Sequence, residues 1–286
     1  MAILFALLSS MCFGIAHVTA RVGLRALDAR AGAAISVPTA ALLFIVAAPF
    51  ALDLSQFSAT AAILFAVVGL FFPAVVTLLN FRSNELLGAT VTSTVSGTTP
   101  LFALVAAALL LGEQIPARAA IAAAGVVLGI ALLSWNPGAV RGRFAGWPLL
   151  VPLAGAVVRG LAQVGARAAL LLWPNPFAAS LIGYAVSSAA VISADRLAGA
   201  ERRRLTAHSA TWFGVTGALN GGAVLLMYLA LTLAPVALVA PIVAAYPLVT
   251  LLVSAIVLHD EAVTLPRLAG AAVTVGAIVY LVASRT

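Results

Sequence analysis

The polar feature with the highest energetic cost in this sequence is an arginine near the middle of a long apolar run. Arg159 lies within the run near residues 147–171. A charge at mid-bilayer costs about 2.5–3.5 kcal/mol on insertion scales. Such a group must face the interior of a helix bundle. Its planar fork of donors matches a carboxylate or phosphate through paired hydrogen bonds. Gln163 follows one helical turn later on the same face, and Arg167 one turn beyond that. All eight acids sit at the ends of apolar runs or between them, so none lies at Arg159's depth. The spacing points to an anchor for an anionic or zwitterionic solute. The alternative is an arginine satisfied by backbone carbonyls or snorkelling to the interface.

Other polar groups could line the same space. His17 is the one histidine inside an apolar run, and it shares a helix stripe with Ser10 and Arg21. It is a candidate substrate contact, a proton carrier, or a hydrogen-bonded structural group. Thr92, Ser96 and Thr99 recur at i, i+4 and i+7, so they read as a hydroxyl-lined cavity wall or as small residues at a tight helix contact. Asn220, set among Gly217, Gly221 and Gly222, and Tyr246, just before Pro247, are further lining candidates. Pro100 and Pro247 fall within apolar runs. Each removes a backbone hydrogen bond, which predicts paired mid-helix kinks that act as hinges or as fixed bends.

These groups do not form a catalytic constellation. There is no His-Glu-x-x-His zinc motif and no pair of deep aspartates. His259, Asp260 and Glu261 are adjacent, so on a helix they point apart, and no metal site is expected. The one cysteine, Cys12, reads as a small core hydrophobe. The sequence implies no catalytic residue, no metal and no cofactor. An intramembrane enzyme and a structural or assembly membrane protein remain the rival readings to a transporter.

The elements that carry these residues must be membrane spans. Of 286 residues, 64% are hydrophobic and 8% charged, whereas a soluble domain carries about 25% charged residues. Lipid is therefore the solvent. The net charge of +7 comes from 15 arginines, with no lysine, scattered at run ends; only Arg202, Arg203 and Arg204 cluster. That pattern sets topology and excludes a nucleic-acid partner. A bilayer core about 30 Å thick needs roughly 20 apolar residues per helix. Ten runs qualify, near 2–24, 32–52, 60–81, 88–111, 117–135, 147–171, 176–194, 211–232, 235–258 and 264–283. The first lacks a basic segment ahead of it, so it reads as a retained helix rather than a cleaved leader.

The chain also repeats itself. Gly14-Ile15-Ala16-His17-Val18-Thr19-Ala20-Arg21 matches Gly160-Leu161-Ala162-Gln163-Val164-Gly165-Ala166-Arg167 at an offset of 146. At an offset of 147, Pro100 falls on Pro247, Glu113 on Asp260 and Gly129 on Gly276. Each half thus holds five helices, residues 1–138 and 139–286. Because five is odd, the halves must be inverted relative to one another. The loop charges agree. In the first half Arg21, Arg25, Arg30 and Arg82 fill the first and third loops, while in the second Arg196, Arg202, Arg203, Arg204 and Arg267 fill the second and fourth. The fold class predicted is an all-α integral membrane protein of ten transmembrane helices arranged as two inverted five-helix repeats, a common construction of secondary transporters. The arginine bias places both termini outside the cytoplasm.

These motifs resemble the EamA family of the drug/metabolite transporter superfamily. Its halves begin with a Gly and, seven residues on, a basic residue, here Gly14 with Arg21 and Gly160 with Arg167. They end with a Pro-containing helix, an acid, and a Gly-bearing helix, here Pro100, Glu113 and Gly129, then Pro247, Asp260 and Gly276. The resemblance implies a multi-pass protein of the cell (inner) membrane. It implies transport of a small molecule, often efflux, through a cavity between the halves. Monomer and homodimer both stay open.

Overall fold

In a computed structural model, residues 1–133, 147–197, 206–257 and 264–284 are described. Every regular element among them is helical: α1 (Ala2–Gly23), α2 (Ala29–Ala51), α3 (Ala59–Gly69), α4 (Val76–Ser96), α5 (Thr99–Leu111), α6 (Ala117–Leu133), α7 (Leu150–Leu172), α8 (Pro176–Leu197), α9 (Ala207–Leu233), α10 (Val236–Val243), α11 (Tyr246–Val257) and α12 (Leu265–Ala283). Among the described residues, eight stretches are long and apolar enough to cross a membrane, and α5 and α6 are shorter apolar helices. Large apolar side chains such as Leu42, Val46, Phe50, Leu109 and Ile256 cover the outside of the bundle, as lipid-facing positions require. The protein is an all-α, multi-pass membrane protein. The breaker at Trp135–Gly138, the boundary between the proposed halves, Arg202–Arg204, His259–Glu261 and Arg285 lie outside the described residues.

Local sequence sets the breaks between elements. Asp28 caps α2 by accepting from the Ala31 N–H at 2.9 Å, and Ser58 caps α3 in the same way. A π-helical turn, Leu70–Val75, joins α3 to α4. Within it Phe72 leaves helical geometry (φ −134°, ψ 122°), because the proline that follows disfavours the α region for its predecessor.

α4 is not one straight rod. The Ser83 and Thr92 hydroxyls are 2.6 Å apart, and Ser96 donates to Asn80 Oδ1 at 3.3 Å. A straight helix would separate residues nine apart by about 13.5 Å. Both pairs are centred on residue 88 or just before it, so α4 doubles back there as a helical hairpin. This reversal separates the apolar runs read near 60–81 and 88–111.

The two prolines produce sharper breaks than the expected mid-helix kinks. A turn at Gly97 and Thr98 ends α4, and Pro100 sits in the first turn of α5. A turn at Ala244 and Ala245 ends α10, and Pro247 is the second residue of α11. At a helix start the missing proline N–H has no intrahelical acceptor to lose, so a break accommodates it better than a kink. Three-residue bonds bridge each gap, Leu101 N–H to the Thr98 carbonyl and Leu248 N–H to the Ala245 carbonyl.

Packing joins elements far apart in sequence. α1 lies against α9 and α11, and α7 lies against α3, α4 and α5; α2 pairs with α8, and α6 with α12. α1 and α9 are antiparallel, since Ser9 donates to the Ala223 carbonyl at 2.7 Å while Thr19 meets Thr216 at 2.8 Å. The closest approaches need glycine. A Cβ on Gly14 would lie 2.5 Å from that of Val249, and one on Gly160 would lie 2.9 Å from the Ala103 nitrogen.

Candidate functional site

α1, the π-helical turn after α3, α4, α7, α8 and α9 converge on a cleft within the bundle. The cleft is narrow, with about 50 Å³ of space for water-sized molecules, and it is partly open to the surroundings. Its walls are Phe13, Ala16, His17 and Ala20 from α1, with Phe72, Pro73, Val76, Thr77 and Asn80 from the bent third span. Arg159, Tyr184, Asn220 and Val224 complete it from α7, α8 and α9. Among the described residues no carboxylate lines it.

Arg159 is partly buried. Its Nη1 donates to the Tyr246 hydroxyl at 3.3 Å, and its guanidinium carbon lies 5.6 Å from the centre of that ring. Tyr246 also stacks on His17, with ring centroids 4.8 Å apart and planes within 8°. Phe13 packs against the same ring at 6.3 Å. Tyr246 itself is only 5% exposed, held at the start of α11 by the break before Pro247. The result is a row of His17, Tyr246 and Arg159 that links α1, α11 and α7. Among the described residues no acid pairs with Arg159, so its positive charge is not balanced by any described lining residue. Coulomb attraction for an incoming anion is stronger at a partly buried charge than at a solvated surface.

Four of the residues singled out in the sequence, His17, Arg159, Asn220 and Tyr246, therefore meet at or beside the cleft. Others lie elsewhere. Gln163 is buried one turn from Arg159, outside the cleft lining, and its Oε1 accepts no hydrogen bond among the described residues. Thr92, Ser96 and Thr99 are buried, with their hydroxyls engaged close to home. Thr92 meets Ser83, Ser96 donates to Asn80, and Thr99 donates to the Ser96 carbonyl at 2.7 Å. Only through Asn80 do they touch the cleft wall. Pro100 and Pro247 stand at the two helix breaks.

Sequence reasoning missed Tyr184, Asn80 and Thr77. Tyr184 is 1% exposed, and its hydroxyl has no hydrogen-bond partner among the described residues. The signal was available, because Asn80 and Tyr184 are polar interruptions of apolar runs, as Arg159 is. Among the described residues no group of three or more His, Cys, Asp or Glu is placed to hold a metal ion.

No curated protein matches the chain in sequence. Among the solved structures that share its fold is a crystal structure of a protein with 18% sequence identity. It superposes with a TM-score of 0.79 over 99% of this chain and 98% of that one, a likeness of fold alone. Residues 1–135 match the EamA-like transporter family.

Proposed function

We propose that the protein is a non-catalytic secondary transporter that moves a small anionic or zwitterionic metabolite, such as an amino acid or organic acid, across the cell (inner) membrane. The observation that carries this reading is Arg159, a cation near the middle of α7, in a cleft that no carboxylate lines among the described residues. A substrate carboxylate or phosphate supplies the partner that the protein does not. His17, Asn220 and Tyr246 contact the same solute, and Gln163 and the hydroxyls of Thr92, Ser96 and Thr99 support the wall. The family match over residues 1–135 favours transport over an intramembrane enzyme or an assembly protein.

Movement is by alternating access between two inverted five-helix repeats, residues 1–138 and 139–286. The packing supports this. At an offset of 146 to 148, α1 corresponds to α7, α2 to α8, and α6 to α12; the third span corresponds to α9, and the second arm of α4 with α5 to α10 with α11. Exchanging the halves converts α1 on α9 and α11 into α7 on the third span and α5, and both sets of contacts are present. The close approaches exchange as well. Gly14 against Val249 becomes Gly160 against Phe102, and Gly217 against Ser36 becomes Gly69 against Gly183.

The test is a thermal-shift screen of amino acids, organic acids, amines and sugars on purified protein, followed by flux into vesicles. A transported anion or zwitterion raises the melting temperature by mass action. Stabilisation by cationic amines alone, with no anion carried, rejects the proposal.

A further inference from the structure

Gly112 ends α5 in the left-handed region, with φ 63°, and the Glu113 N–H reaches back to the Ala107 carbonyl at 3.2 Å. The left-handed Gly112 ends the helix and turns the chain, and Glu113 follows directly after it. Its carboxylate accepts from the N–H groups of Val236 at 3.2 Å and Ala237 at 3.4 Å, in the first turn of α10. Those donors have no intrahelical partner, and the helix dipole favours an anion there. Glu113 Oε1 also lies 3.9 Å from Nε of Arg167, near the end of α7. The Arg167 Nη1 in turn donates to the carbonyls of Leu231 and Thr232 in the last turn of α9. Two side chains thus tie the ends of α5, α7 and α9 to the start of α10.

The position of this clasp matters. Because α1 and α9 are antiparallel, the end of α9 lies beside the start of α1. The cleft runs along α1 from Phe13 to Ala20, away from that end. The clasp is also separable. At 3.9 Å the two charges attract without a hydrogen bond, the capping bonds are long, and the side chains keep 16% and 14% exposure. Water can replace each contact as it parts.

We infer that Glu113 and Arg167 form a latch that holds the α9 end of the bundle shut, and that the alternate state requires it to open. The inference rests on the alternating-access reading above. A Cys12→Ser protein carrying either Thr232→Cys, at the latched end, or Ala20→Cys, along the cleft, reports each side by its rate of reaction with a soluble maleimide. Adding Glu113→Gln removes the charge and keeps the shape. Thr232→Cys labelling should then rise by about fivefold, the shift expected from losing one partly screened ion pair, while Ala20→Cys labelling falls. Arg167→Gln should repeat the pattern.

Labelling that rises at both positions means that the pair only braces the fold, and it overturns the latch. So does unchanged labelling in folded protein, or failure of both Gln variants to fold. The readout needs no substrate, so the two ideas fail separately. Wild-type transport of an anion without the reciprocal shift rejects the latch alone, while absence of any anion transport rejects the parent reading.

Discussion

Replacing Arg159 with alanine should make the protein bind its solute far less well while leaving it no less stable. Two opposing quantities decide this. The arginine's contacts within the protein are modest, one 3.3 Å bond to the Tyr246 hydroxyl and one face contact at 5.6 Å with the same ring. A hydrogen bond to a charged group contributes about 1.5–3 kcal/mol when well formed, and this one is long. A cation over an aromatic face adds about 0.5–2 kcal/mol. Against them stands a cost of about 2.5–3.5 kcal/mol for holding the charge at mid-membrane. The ligand-free balance is close to zero, so Arg159→Ala should melt within a few degrees of the wild type. The bound state has no such offset. Losing a charge-assisted bond of about 1.5–3 kcal/mol weakens binding roughly 10–150-fold.

The assay is paired, a melting temperature without solute and a dissociation constant for the solute found by screening. Arg159→Lys separates charge from shape. It keeps the cation and loses the planar fork, so binding should fall between wild type and alanine. A protein that unfolds many degrees earlier in the Arg159→Ala form yet binds with wild-type affinity would make Arg159 structural and refute the site reasoning. So would a preference for purely cationic solutes.

Other consequences follow from the same geometry. Tyr184→Phe should weaken solute binding about 2–12-fold, the worth of one neutral hydrogen bond, and leave the melting temperature unchanged; unaltered affinity would remove the Tyr184 hydroxyl from the recognition set. His17→Gln should be milder than Arg159→Ala in vesicle flux, because Gln163 already occupies the corresponding position of α7; an equal loss would give His17 a role of its own. Pro100→Ala and Pro247→Ala should slow flux more than they weaken binding, since each removes a reason for the helix break beside it, and unchanged rates in both would count against hinges there. A reporter fused to the C-terminus should be active outside the cytoplasm, and a cytoplasmic signal would reverse the orientation drawn from the arginine bias.

The spans were legible because lipid imposes one demand, a run of apolar residues long enough to satisfy its own backbone, and runs can be counted. The hairpin in α4 follows from the same count, because Arg82, Ser83, Asn84 and Glu85 interrupt the apolar sequence. Arg159, His17 and Asn220 stood out as polar groups whose burial needs a reason. The helix breaks at Thr98 and Ala245 were less legible. A proline within an apolar run is compatible with a kink or a break, and only packing decides between them. The stack of His17 on Tyr246 and the clasp of Glu113 with Arg167 were not legible at all. Each joins residues over 50 positions apart, and the sequence marks the individual polar groups without saying which ones meet.

On the inverted-repeat reading proposed above, a near-symmetric scaffold can hold an asymmetric solute. Under the offset of 146 or 147, Phe13 corresponds to Arg159, His17 to Gln163, and Tyr246 to Thr99. The backbone packing at these places exchanges with the halves, since Gly14 meets α11 as Gly160 meets α5. The side chains do not exchange. The contact of α1 with α11 brings Phe13, His17 and Tyr246 together as an aromatic cluster, and its counterpart, α7 with α5, carries Arg159 and Gln163 with the small Thr99. Arg159 and Tyr246 come from the same half, and the Arg159 guanidinium donates to the Tyr246 hydroxyl at 3.3 Å. On the transporter reading the solute lies between two unlike poles, its anionic group at Arg159 and its less polar part against the aromatic cluster. On that reading an inverted repeat needs only equivalent backbone contacts to adopt two mirror states, so the cleft side chains are left free to differ and to set which way round the solute binds.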